Sequence, residues 1–106
     1  MSIKQRIAKR WAKRAIKTTK KWAKNPIKTQ ENVLMELLHK AKNTAFGQYY
    51  DFESITSYAE FKSRVPICDY EGLRPYVDRV VAGESNVIWP GKPLYFSKTS
   101  GTTSGV

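Results

Sequence analysis

The sequence predicts an α/β chain that is mostly α-helical, with one or two short β-strands just before a loop rich in glycine and hydroxyls. Three observations predict it. Apolar residues recur at steps of three and four through residues 3–22 and again through 33–45, the period of a helix with one apolar face. Two short apolar runs, Asn86-Val87-Ile88-Trp89 and Leu94-Tyr95-Phe96-Ser97, flank a Pro90-Gly91 turn. The second run feeds Thr99-Ser100-Gly101-Thr102-Thr103-Ser104-Gly105.

Taken in order, residues 1–24 read as a basic amphipathic helix and residues 25–106 as the start of a larger domain. Ile3, Ile7, Trp11, Ala15, Thr18 and Trp22 form one stripe of the first helix, and ten Lys and Arg cover the rest. Asn25-Pro26 breaks it. A second helix is expected from about Thr29 to Thr44, with Val33, Leu34, Leu37, Leu38, Ala41 and Ala45 on one face and Phe46-Gly47 as its stop. Ser57-Tyr58-Ala59-Glu60 has the spacing of a capping box for a short helix ended by Pro66. Asp69 suits the cap of a further turn. Pro75 suits the first position of a helix that carries Tyr76, Val77, Val80 and Val81 and ends at Gly83. The runs 86–89 and 94–97 are the strand candidates.

The composition is that of a small globular domain, with 41% hydrophobic and 12% aromatic residues. The single Cys68 excludes an intramolecular disulfide and suits a reducing, cytoplasmic setting. No run is long enough to span a bilayer, and no secretory signal is visible. The formal charge of +10 belongs to one segment, because residues 1–24 hold ten basic residues and no acid while residues 25–106 hold nine of each sign. Three uses compete for that helix: docking its stripe on the protein body, lying on an anionic membrane, or meeting nucleic acid or serving as an organelle-targeting presequence. Nucleic acid is not expected, and the lysine bias and scarce serine count against a presequence. His39 has no Cys, Asp or Glu at ligand spacing and reads as a surface residue. Tyr49, Tyr50 and Tyr70 read as packing aromatics.

The terminal loop suits one task, surrounding a polyphosphate. Gly101 and Gly105 permit close backbone approach, so that consecutive N–H groups converge on an anion. The hydroxyls of Thr99, Ser100, Thr102 and Thr103 add donors that turn to meet oxygens on either side, and Lys98 adds a point charge. The Walker spacing is not met. By composition alone the same residues also fit a flexible linker.

The order of the motifs resembles the acyl-acid amido synthetases of the auxin-responsive Gretchen Hagen type, adenylate-forming enzymes of plants and bacteria. Phe96 through Gly105 looks like their ATP signature. Val65-Pro66-Ile67-Cys68-Asp69-Tyr70-Glu71, Leu73 through Val80, Gly83-Glu84 and Val87-Ile88-Trp89-Pro90-Gly91 follow the family in order and spacing. So do Thr29-Gln30-Glu31 and Ala41 through Gly47, and the likeness looks closer to the bacterial branch.

The resemblance implies an N-terminal piece of the adenylate-forming α/β fold. It also implies a two-step reaction, in which a carboxylic acid attacks the α-phosphate of ATP to give an acyl adenylate and pyrophosphate, and an amino acid amine then displaces AMP. In that reading Thr99, Ser100, Gly101, Thr102, Thr103 and Gly105 hold the ATP phosphates, with Mg²⁺ spreading the charge of the leaving group. No catalytic residue and no protein-held metal site is assigned. The 106 residues alone are expected to be inactive, since the adenine, acyl and amine sites of the family lie outside them. Uncovered apolar stripes predict poor solubility for the isolated chain. The alternative is a small basic module that binds anionic membrane or nucleic acid through its first helix.

Overall fold

The computed structural model describes residues 1–97. It divides the chain into two compact units, Met1–Glu36 and a second beginning at Leu37.

In the first unit, α1 (Ile3–Ala23) starts from a complete capping box. The Ser2 hydroxyl accepts from the Gln5 N–H while the Ser2 N–H donates to Gln5 Oε1 at 2.9 Å, which satisfies two of the end's free donors. Lys20 and Lys21 in the last turn face the negative end of the helix dipole. α2 (Pro26–Ala41) begins at Pro26, three residues before the expected start. Proline serves there as the first helical residue, where its missing N–H is no loss. The Thr29 hydroxyl donates to the carbonyls of Asn25 and Trp22, tying off the junction.

The second unit is helical among the described residues. After α2 come α3 (Ala45–Tyr49), a 3-10 turn (Phe52–Ser54), α4 (Tyr58–Arg64) and α5 (Tyr70–Val81). Leu38, Ala41, Thr44, Gly47, Phe52, Ile55 and Val87 are its buried residues among those described. Phe46 gathers Tyr50, Phe52 and Tyr76 around it at ring separations of 4.8, 5.8 and 5.1 Å. Such tilted and edge-on pairs add a few tenths to about 1.5 kcal/mol each beyond their burial.

Three expectations are corrected. Phe46-Gly47 does not stop α2; the helix ends at Ala41, and Thr44 caps a new one through the Gly47 N–H. Pro75 lies inside α5, because Asp69 caps the helix at Gly72 and nucleates it six residues earlier. Pro75 then costs the helix the bond to the Glu71 carbonyl and crowds that carbonyl with its ring. The strands at 86–89 and 94–97 are not seen. Asn86 adopts left-handed backbone (φ 56°), which breaks an extended run, and Leu94, Tyr95 and Phe96 are exposed with no strand beside them among the described residues.

α4 matches its expected span, with a shifted cap. The Ser57 hydroxyl accepts from the Glu60 N–H as anticipated, yet the Glu60 carboxylate reaches back to the Thr56 N–H at 2.8 Å instead of to Ser57. The bonds from Thr56 hold the Glu60 carboxyl below its usual range. A depressed carboxyl pKa gives stability that is present above the unfolded value and is lost as pH falls through the folded one. An NMR titration should therefore place the Glu60 midpoint below that of an ordinary glutamate. In Glu60→Gln the acid-side loss of α4 stability should disappear.

Candidate functional site

The loop residues Thr99, Ser100, Gly101, Thr102, Thr103 and Gly105 lie outside the described residues. What the structure places is the stem that delivers them. It runs from the end of α5 to Ser97, and most of the motif residues upstream serve to anchor it.

The anchor begins at the C-terminus of α5. The Gly83 N–H donates to the Val80 carbonyl and the Glu84 N–H to the Arg79 carbonyl, the paired bonds of a Schellman motif. Gly83 has φ 94°, a conformation that a side chain resists. The Arg79 guanidinium grips the Glu84 carboxylate with two bonds of 2.7 and 2.6 Å, which holds the Glu84 carboxyl below its usual range and raises the Arg79 pKa. Helix end and side chains thus fix the same turn.

The chain next folds into a closed turn between Asn86 and Gly91. The Asn86 N–H donates to the Gly91 carbonyl at 3.0 Å, and the Gly91 N–H donates to Asn86 Oδ1 at 2.7 Å. The carbonyls of Asn86 and Val87 point the other way. They accept from the N–H groups of Ala45 and Phe46, both at 2.9 Å. Thr44 takes the third donor, because its hydroxyl accepts from the Gly47 N–H at 3.0 Å while donating to the Ala41 carbonyl at 2.7 Å. The leading N–H groups of α3 are thereby filled by the chain's own oxygens. That helix end is a clamp for the stem, with no donors left over for an anion. Val87 is 1% exposed and Thr44 also 1%, so the clamp is sealed from water.

Other candidates fall into ordinary roles. His39 is exposed, and no cluster of three His, Cys, Asp or Glu among the described residues is placed to hold a metal. Cys68 is free and exposed. Tyr50 packs on Phe46, while Tyr49 and Tyr70 are exposed. The residues that sequence reasoning passed over are Thr44 and Asn86. Each carried a local signal, a threonine ahead of a short apolar turn and an asparagine suited to left-handed backbone.

Every residue of α1 is exposed, including Ile3, Ile7, Trp11, Ile16 and Trp22. No helix among the described residues is long and apolar enough to cross a membrane.

Comparison with known proteins supplies what the geometry alone does not. The model of the GH3 family N-terminal domain matches residues 15–106. Over 77 residues, 72% of its length, the chain is 35% identical to the indole-3-acetic acid-amido synthetase GH3.2 of Arabidopsis thaliana, of which it covers 14%. It is 34% identical over the same share to the jasmonoyl-L-amino acid synthetase JAR4 of Nicotiana attenuata, and 32% to the indole-3-acetic acid-amido synthetase GH3.8 of Oryza sativa subsp. indica, covering 13% of each. The chain thus spans about one seventh of the length of these relatives. No solved structure matches it.

Proposed function

The chain belongs to the GH3 family, and on that premise we propose that it contributes the phosphate-binding loop of an ATP-dependent acyl-acid amido synthetase. The observation that carries this reading is the family match across residues 15–106, which takes in both the stem and the loop. The parent reaction joins a carboxylic acid to an amino acid with ATP as co-substrate, in an adenylate-forming fold and in the cytoplasm. The acid, the amine and the residues that act on them belong to the remaining length of the protein, so these 106 residues alone do not complete the reaction.

The donor set fits the β- and γ-phosphates. Hydroxyls at Thr99, Ser100, Thr102 and Thr103, backbone N–H groups at Gly101 and Gly105, and the Lys98 ammonium are all donors, and none is an anion that would repel the ligand. Mg²⁺ binds largely through phosphate oxygens and its own waters, which agrees with the lack of a carboxylate cluster in the loop. The loop's task is to position the tail and take up charge as pyrophosphate leaves. Its ordering would cost roughly 7–14 kcal/mol if left to the ligand, at about 1–2 kcal/mol per residue.

Thr102→Ala combined with Thr103→Ala in the full-length parent tests the role. Two hydrogen bonds to charged oxygens contribute about 1.5–3 kcal/mol each, so ATP affinity should fall by about 100-fold or more. Unchanged nucleotide affinity and unchanged amide formation would remove the loop from the mechanism.

A further inference from the structure

We propose that α1 is an interfacial membrane helix that docks this protein on anionic lipid. The inference is independent of the loop's role. It rests on how α1 sorts its side chains and on where the family domain begins.

At about 100° per residue, every Lys and Arg of α1 except Lys4 falls within an arc of about 140°. Ile7, Trp11 and Trp22 fall within about 60° of one another on the other side, beside Ala8, Ala12 and Ala15. α1 holds no acid, so nothing on the helix offsets its charge. Trp11 is 75% exposed and Trp22 50%. On the basic side, Lys13, Lys17, Lys20, Lys21 and Lys24 line one shallow open groove with Ile16. The family match begins at residue 15, so Ile3, Ile7 and Trp11 lie ahead of the shared domain.

One surface meets both faces at once. Ile7, Trp11 and Trp22 sink to the boundary of the acyl chains, and the lysines extend along the helix flanks to lipid phosphates. The helix spans about 32 Å lying flat, which gives contact along its whole length without insertion across the bilayer. Nucleic acid accounts for the lysines alone and leaves Trp11 and Trp22 in water. Serine, threonine and acid are also sparse enough in α1 that a solvated linker helix is the poorer match.

The test is co-sedimentation of the full 106-residue chain with vesicles of phosphatidylcholine, with and without phosphatidylglycerol, repeated with the full-length parent. Trp89→Phe is introduced in the 106-residue chain so that its fluorescence reports only α1. Binding to the anionic vesicles, a blue shift of tryptophan emission and weakening by salt are expected. Each of Lys13, Lys17 and Lys20 changed to Gln should weaken binding by about fivefold. Trp11→Ser with Trp22→Ser should weaken it at least about tenfold while circular dichroism still reports the helix. No binding to anionic vesicles overturns the proposal. So does binding indifferent to the two tryptophans, or retention by duplex DNA in place of vesicles. In the lipid-free parent, emission from Trp11 and Trp22, taken as the difference from the Trp11→Phe plus Trp22→Phe variant, that is already shielded from a soluble quencher would assign the stripe to the protein body and overturn the proposal equally.

Discussion

Gly47→Ala should be the most damaging single methyl in the second unit. A Cβ there would land on the Ala41 carbonyl oxygen, 2.9 Å from its carbon and 3.1 Å from the carbonyl carbon of Lys42. That oxygen already accepts from the N–H and hydroxyl of Thr44, so the corner between α2 and α3 has no direction in which to yield. Overpacking against fixed backbone costs about 3 kcal/mol, a large part of the 5–15 kcal/mol that holds a domain folded. For a unit of this size the midpoint of melting should fall by about 12–24 °C. Near-ultraviolet circular dichroism of the Phe46, Tyr50, Phe52 and Tyr76 group reads the change. Gly72→Ala is the comparison: its Cβ would lie 2.9 Å from the Cβ of exposed Cys68, farther than the Gly47 Cβ would lie from the carbonyl oxygen of buried Ala41, and alanine favours helix by about 1 kcal/mol. An equal loss in both variants would mean that the Ala41 corner is not the constraint.

Val87→Asp should release the stem. The side chain is sealed from water, so an ionised carboxylate there has to be neutralised or expelled at a cost of several kcal/mol. Expulsion would break the bonds from Ala45 and Phe46 to the Asn86 and Val87 carbonyls. Hydrogen exchange checks this directly: the Ala45 and Phe46 amides should be among the protected ones in the parent chain and lose that protection together in the variant. Protection that survives in both would show that the clamp does not depend on Val87. The introduced carboxyl would have a raised pKa when buried. Its folded form would then be favoured below the ordinary carboxylate range and lost as pH rises, so the damage should ease in acid.

Local chemistry was legible in the sequence. Ser57 and Asp69 announced their helices because a cap acts on residues two or three positions away, and the break at Asn25-Pro26 is likewise local. Gly83 was readable for the same reason. The stem was not. Val87 has the burial of a strand residue, but its partner is the start of a helix 41 positions earlier, and no periodicity within residues 86–89 encodes that. Gly47 was misread as a stop because a helix-breaking residue and a residue chosen for lack of volume look identical until the carbonyl above it is seen. Asp69 and Pro75 gave two separate start signals, and the helix begins directly after Asp69 with Pro75 inside it. The family likeness was legible in motif order alone. It did not reveal that Thr44 and Asn86 bond the start of α3 to residues 86–91.

The bond between Phe46 and Val87 also sets a timetable. α3 is five residues long, too short to persist by itself, and two of its leading donors wait for oxygens that are made 41 residues later. At about 5–20 residues per second, the nascent chain carries an unfinished α3 for roughly 2–8 s. Throughout that interval Phe46 lacks the Val87 carbonyl, and for its first 30 residues it lacks Tyr76 as well. Any ribosome pause between codons 47 and 87 lengthens that interval, so the stretch that leads toward the proposed phosphate loop is also the stretch whose arrival completes the start of α3.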